Sequence, residues 1–369
     1  MRSLEIRPEL IERTLSLAEK GWGVTHPNPM VGALIVEDGE VVAEGYHRRA
    51  GEPHAEVNAL SSLGRKPKDE AILYVSLEPC SSTGRTPPCT SAILDSGIKN
   101  VVVGCIDPDS RHGGKGIEVL LQHGVRVQQA PTELETKATR LNMIFNHWSR
   151  SKTPLIALKM ALSANGMVAE RAGYPSRVTG ENARADVMHW RRLFPAICVG
   201  SGTVIADNPS LTARLPTSEW CPVRLVLDSS LSTFSEEFHP RQIYTDGHSA
   251  RTVVITTARG LENKEAVQAA QNLGVRVMKC AEGEDGRVSP QGFRKTVIEL
   301  GLIGVYCEGG PAVARALLGA NEIDYLFHYL SPREFNSPEA MNGPDLQSLV
   351  VRESLRVDFG DDHLIHGYL

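Results

Sequence analysis

No stretch of this sequence approaches the ~18 consecutive apolar residues that a membrane helix needs. The opening segment, MRSLEIRPELIERTLSLAEKG, lacks the apolar core of a secretion signal. A cytoplasmic protein without a membrane partner is therefore expected. Basic charge is also short: 39 Lys and Arg face 44 Asp and Glu, a formal net charge of -5. That balance argues against a broad cationic surface for nucleic acid. It leaves room for a small phosphorylated ligand, which two arginines can hold. No G-x-G-x-x-G fingerprint occurs, and Gly200-Ser201-Gly202 alone says little about a nucleotide. Internal repeats and low-complexity tracts are missing too. The cysteines are seven, an odd number scattered along the chain, which does not suggest a disulfide framework. Cys105, Cys198, Cys280 and Cys307 sit in apolar, strand-like runs and read as small core residues.

What is present reads as two α/β domains. The 369 residues exceed the usual ~100–200 of one domain. A helix is expected from Pro8 to Gly21, with Pro in its first turn and Gly at its end. The runs MVGALIV and EVVAEGYH, joined by Asp38-Gly39, predict a β-hairpin. Helices and strands then alternate: a helix from about His54 to Leu63, strand AILYVSLEP, a helix near Cys89 to Asp95, strand NVVVGCID, helix GGKGIEVLLQHG and strand VRVQQ. One helix is predicted over 132–149, before the polar junction SRSKTPL. A second alternating series follows, ending in HLIHGYL as a strand. Such alternation predicts layered α/β domains, placed at 1–150 and 151–369.

The chemistry concentrates in His54-Ala55-Glu56, Pro79-Cys80 and, nine positions on, Cys89. Zinc takes imidazole and thiolate ligands tetrahedrally, and a catalytic zinc keeps one position for water. One His and two Cys supply three ligands and leave that position open. Bound water then ionises near neutral pH. Glu56, at the expected helix start, can carry its proton to a leaving nitrogen. Zinc nucleobase deaminases use H-x-E followed by P-C-x-x-C. Here eight residues, including Gly84, Pro87 and Pro88, separate the two cysteines. A purely structural zinc would need a fourth protein ligand, and His47 stays open as a candidate.

Over nearly its whole length the chain resembles the bifunctional riboflavin-biosynthesis deaminase/reductase family. The resemblance is carried by THPNPMVGALIVEDG, GEPHAEVNAL, LEPCSSTGRTPPC, LKMALSANG, ADVMHWRR, VGSGTVIADNPSLTAR and EGGPAVARALL. It implies a cytidine-deaminase-like three-layer domain followed by a dihydrofolate-reductase-like domain. The first would deaminate 2,5-diamino-6-(5-phosphoribosylamino)pyrimidin-4(3H)-one. The second would use NADPH to reduce the ribosyl chain, giving 5-amino-6-(5-phosphoribitylamino)uracil. His54, Cys80 and Cys89 match the zinc ligands, Glu56 the proton carrier, and Asn28 a contact to the pyrimidine. Arg191, Leu211, Arg214 and Glu308 match substrate-binding positions, with the two arginines suited to gripping a phosphate. Ala161, Thr203, Asp207, Ser229, Gly309 and Gly310 match cofactor positions. Gly309-Gly310 would offer the free amides of a helix start to a phosphate. Lys159 and Glu308 are the polar groups expected around the reacting sugar carbon. A homo-oligomer is also expected.

The sequence departs from the family pattern at several points. Ser82 stands where the family places His, and Asn165 where it places Asp. Pro175 and Arg177 replace Ser and Trp, and the segment 331–336 is altered. Most of these changes fall in the second half. They raise an alternative: an active deaminase joined to a weakened reductase kept for nucleotide binding or dimerisation.

Overall fold

The computed structural model describes residues 6–82, 87–110, 112–171, 173–174, 176–216, 218–235 and 241–369. Pro175 and Gly84 lie outside the described residues. The chain divides into two compact units, Met1–Lys152 and Thr153–Leu369. Among the described residues, no helix is long and apolar enough to cross a membrane.

The first unit runs α1 (Pro8–Ala18), β1 (Gly32–Glu37), β2 (Glu40–Tyr46), α2 (Ala55–Leu63), β3 (Ile72–Leu77), α3 (Cys89–Ser96), β4 (Asn100–Cys105), α4 (Lys115–Gln122), β5 (Arg126–Gln129), α5 (Thr132–Leu141) and α6 (Met143–Ser151). Its sheet has the order β2-β1-β3-β4-β5. Strand β1 is antiparallel to both neighbours, while β3, β4 and β5 are parallel. The hairpin closes at Asp38 and Gly39, both at positive φ (50° and 80°), as a two-residue turn demands. The strands alternate between two cores. Ala33, Ile35, Leu73 and Val101 face Ala59 of α2 and Ile93 of α3. Leu34, Val36, Tyr74 and Val102 face Leu10 and Leu17 of α1. Helices thus cover both faces, which makes three layers. Gly45 lets α2 lie directly on β2, because a Cβ there would collide with the backbone at Ala55 and Ala59. That contact seats the start of α2, where His54 is.

The helix predicted over 132–149 is broken. Asn142 leaves the helical region (φ -107°, ψ 34°) and separates α5 from α6. Its amide is used elsewhere: Oδ1 accepts from Met30 N (2.8 Å) and Nδ2 donates to Met30 O (2.9 Å).

The second unit runs β6 (Leu155–Leu162), β7 (Met167–Ala169), α7 (Glu181–Leu193), β8 (Ala196–Gly200), α8 (Ser201–Asp207), β9 (Ala213–Leu215), β10 (Ser218–Trp220), β11 (Val223–Leu227), α9 (Gln242–Thr245), β12 (Thr252–Thr256), α10 (Lys264–Asn272), β13 (Arg276–Lys279), α11 (Pro290–Glu299), β14 (Gly304–Cys307), α12 (Pro311–Gly319), β15 (Tyr325–Leu330), β16 (Met341–Asn342), β17 (Arg352–Phe359) and β18 (Asp362–Tyr368). Its nine-stranded sheet has the order β13-β12-β11-β8-β14-β6-β15-β18-β17. It is parallel from β13 to β15, and β18 and β17 close it antiparallel. Strand β17 was not expected from the sequence. RESLRVDF alternates charge with apolar residues on an exposed edge, so no buried run announces it.

Cys105, Cys198, Cys280 and Cys307 are all buried, as expected of core residues.

Candidate active sites

In the first unit, three short connections bring the metal-type ligands together. His54 is the residue before α2, Cys80 follows β3 through Glu78-Pro79, and Cys89 opens α3. His54 Nδ1 lies 3.2 Å from Cys89 Sγ and 3.7 Å from Cys80 Sγ. One ligand atom from each of the three residues falls within 4.8 Å of the others. The Cys89 amide donates to Cys80 Sγ at 3.3 Å. Hydrogen bonds from the Cys89 thiol and from His54 hold the Cys80 thiol well below its ordinary value, despite burial. Two sulfurs and one imidazole nitrogen suit zinc, with a fourth position left for a reacting ligand.

Glu56 lies in the first turn of α2 and is 3% exposed. Burial, with the Cys80 charge adding to it, pushes its carboxyl up to about 7. A carboxyl at that value can both take and give a proton near neutral pH.

His47 proves to be no fourth ligand. Its Nδ1 lies 3.2 Å from Pro53 O, which can only accept, so Nδ1 carries the hydrogen. Its Nε2 then accepts from Asn28 Nδ2 at 3.1 Å. Burial pushes the ring's pKa down, which favours this neutral form. His47 thereby fixes which way the Asn28 amide points. A lone histidine after a strand gave no signal of that role. Met30, two residues past Asn28, is held by Asn142. Asn142 had no signal either, because its position reads as helix interior. Ser82 is exposed.

The second unit holds a cavity of about 1010 Å³ above its parallel strands. Of the expected site residues, Lys159, Ala161, Arg191, Thr203, Asp207, Leu211, Glu308, Gly309 and Gly310 line it. Gly310 precedes α12, and the start of that helix, from Pro311 to Val313, lines the cavity. A Cβ on Gly309 would sit 2.7 Å from Val313, so only glycine lets the turn lie this close to the helix. Leu211 is at positive φ (54°) and 2% exposed, so its backbone shapes the wall.

Two expected residues lie elsewhere. Arg214 is not part of the lining; it is exposed and donates to Ser210 Oγ (2.7 Å). Ser229 is not part of the lining either. Its Oγ accepts from Val288 N, and its carbonyl accepts from the Thr256 and Thr257 hydroxyls.

Arg191 is already engaged. Its Nε and Nη2 hold both Glu308 oxygens at 2.6 and 2.9 Å, and Nη1 donates to Thr212 O. The guanidinium fork is therefore engaged by the Glu308 carboxylate at the cavity wall. Burial alone would raise the Glu308 carboxyl, but Arg191, with Lys159 beyond it, holds it below the ordinary value. Burial pushes the Lys159 ammonium down, Glu308 opposes this, and Arg191 adds to it.

The family model described as the RibD C-terminal domain matches residues 154–353. The cytidine and deoxycytidylate deaminase zinc-binding region matches residues 5–105. The riboflavin biosynthesis protein RibD of Actinobacillus pleuropneumoniae is 36% identical, covering 97% of this chain and 94% of its own. The chain belongs to the RibD family. RibD of Aquifex aeolicus is 38% identical, covering 96% of this chain and 94% of its own. Two solved structures agree in fold, each covering 97% of both chains. Acinetobacter baumannii RibD has a TM-score of 0.77 at 29% identity. A Thermotoga maritima diaminohydroxyphosphoribosylaminopyrimidine deaminase/5-amino-6-(5-phosphoribosylamino)uracil reductase has a TM-score of 0.78 at 31% identity.

As a RibD family member the chain is a bifunctional enzyme of riboflavin biosynthesis, with a zinc-binding deaminase domain and a reductase domain. Its departures from the usual RibD sequence do not read as decay. Asn165 Nδ2 donates to Phe335 O, and Asn165 Oδ1 accepts from Phe335 N, so two altered segments hold each other. Arg177 lines the cavity, and its carbonyl accepts from Arg333 Nη1 at 3.0 Å. The weakened-reductase alternative is not favoured.

Proposed function

We propose that the first unit deaminates 2,5-diamino-6-(5-phosphoribosylamino)pyrimidin-4(3H)-one and that the second reduces the ribosyl chain of the product with NADPH. The 5-amino-6-(5-phosphoribitylamino)uracil so formed would serve riboflavin synthesis. The observation that carries this reading is the convergence of His54, Cys80 and Cys89 beside the buried Glu56. The functional domains are taken as 1–150 and 151–369.

His54, Cys80 and Cys89 would hold the zinc, which supplies an acidified water. Glu56 would take a proton from water as the water oxygen bonds to the ring carbon, and would hand it to the amino nitrogen that leaves as ammonia. Asn28, its amide oriented by His47, meets the polar edge of the pyrimidine. In the second unit the cofactor supplies the hydride. The α12 start at Gly309-Gly310 suits its phosphates, and Ala161, Thr203 and Asp207 line its path. Lys159 and the Arg191–Glu308 pair line the same cavity and would flank the sugar carbon, with Lys159 as a candidate proton source. Arg214, Leu211 and Ser229 stay assigned through family resemblance; for Arg214 and Ser229 this requires a ligand reaching beyond the cavity wall. A cytoplasmic setting suits two thiolate ligands that must stay reduced.

A paired assay tests the reading. The purified protein should release ammonia from the diaminopyrimidine and oxidise NADPH, in preference to NADH, with the deaminated product. Glu56→Gln should keep zinc, lose ammonia release by about 100-fold or more, and leave NADPH oxidation intact. Persistent ammonia release in that variant would remove Glu56 from the mechanism.

A further inference from the structure

Glu78 lies two residues before Cys80 and is 5% exposed. Among the described residues no cation pairs with it. Its oxygens instead accept four backbone N–H groups. Oε2 takes those of Asp107 (3.1 Å) and Gly114 (2.9 Å). Oε1 takes those of Gly116 (2.7 Å) and Ile117 (3.3 Å), both in the first turn of α4. Asp107, Gly114, Gly116 and Ile117 therefore converge on one buried carboxylate. The fit is close: a Cβ on Gly116 would collide with the Pro79 carbonyl. On the other side, the Glu78 amide donates to Cys105 O at 2.8 Å. The backbone that leads into Cys80 is thus fixed from two directions. Beyond it, the Cys80 carbonyl accepts from Thr90 N (3.2 Å), which ties the far end to α3.

We propose that Glu78 is a positioning residue of the metal centre. Its carboxylate, held by four amides, sets the backbone from which Cys80 reaches the metal. This rests on the reading of His54, Cys80 and Cys89 as the zinc ligands. Groups that orient a ligand without touching the metal typically matter about 10- to 100-fold in metal affinity. Cys80 is the ligand with the most to lose, because it sits on a loop while His54 and Cys89 sit at helix starts.

The test uses the full-length protein with Glu78→Gln and Glu78→Asp. Glutamine keeps the length but turns one oxygen into a donor, so two of the four amides meet an N–H group. Aspartate keeps the charge and is one methylene shorter. Zinc affinity is measured by competition with a chromophoric chelator, well below the unfolding temperature. Thermal unfolding of the zinc-free protein and NADPH oxidation are measured beside it. Glu78→Gln is expected to bind zinc about 10- to 100-fold more weakly. Its ammonia release should recover in excess zinc, with NADPH oxidation unchanged. Should the glutamine variant not fold, Glu78→Asp carries the same test and the same expectation. Zinc binding within about twofold of the unaltered protein, in a folded variant, overturns the proposal. So does a loss of zinc no greater than the zinc-free protein's loss of stability, which would make Glu78 a structural anchor only. An unaltered protein that binds no zinc overturns the metal reading as well, and so is distinguishable from either result.

Discussion

Replacing Arg191 with methionine should destabilise the reductase unit strongly, and by an amount that depends on pH. The Arg191 and Glu308 side chains are only 12% and 11% exposed and share two hydrogen bonds. Removing one partner of such a pair leaves a buried charge alone, at a cost of about 3–5 kcal/mol. In the unaltered protein Arg191 holds the Glu308 carboxyl below its ordinary value against the effect of burial. Its contribution is therefore present above the unfolded value and is lost as pH falls through the folded one. Without Arg191 burial dominates, and the carboxyl rises. The folded variant then binds a proton that its unfolded chain does not, so the variant gains stability as pH falls into that window. The gap between the two proteins should narrow from pH ~8 toward pH ~5. Arg191→Met with Glu308→Leu should recover most of the loss, since replacing both partners by apolar groups is often near neutral. Scanning calorimetry on the full-length protein provides the measurement, with the reductase transition recognised by its shift when the dinucleotide is added. A gap that is constant with pH, a loss under ~1 kcal/mol, or a double variant as unstable as the single one would refute the reasoning.

Three further outcomes follow from other parts of the molecule. Asn142→Leu leaves the buried Met30 amide and carbonyl without their partner, at about 2 kcal/mol, so ammonia release should fall while NADPH oxidation in the same preparation holds. Burial pushes the His328 ring down to about 4, while an unfolded histidine titrates near ~6.5. Its stabilising contribution of about 3 kcal/mol should therefore be present above pH ~6.5 and lost toward pH ~4, and His328→Leu should flatten that part of the urea-unfolding profile. Dialysis against a strong zinc chelator should abolish ammonia release and spare NADPH oxidation, with zinc restoring the first; loss of both activities would contradict two independent centres.

The metal cluster was legible because its ligands come with their own punctuation. H-A-E and P-P-C mark helix entries and P-C the exit of a strand, and the structure places the three side by side. The alternating elements were legible for a similar reason, since buried parallel strands are continuous apolar runs. Asn142 was not, because nothing in TRLNMIFNH signals a break; the helix yields to two hydrogen bonds with a residue 112 positions earlier. Arg191 shows the converse limit. Its position was found by resemblance, but its partner Glu308 lies 117 residues away, and only the fold reveals that the guanidinium is already occupied. The same holds for Glu78, whose four partners are backbone groups that no side-chain pattern can announce.

The sulfur of Cys80 accepts the Cys89 amide at the start of α3. A sulfur so engaged lends less electron density to a cation it binds, and the positive end of the helix adds to the withdrawal. A zinc held by His54, Cys80 and Cys89 would therefore be a stronger Lewis acid toward water, and the fixed backbone around Cys80 would carry more of the task of keeping it in place.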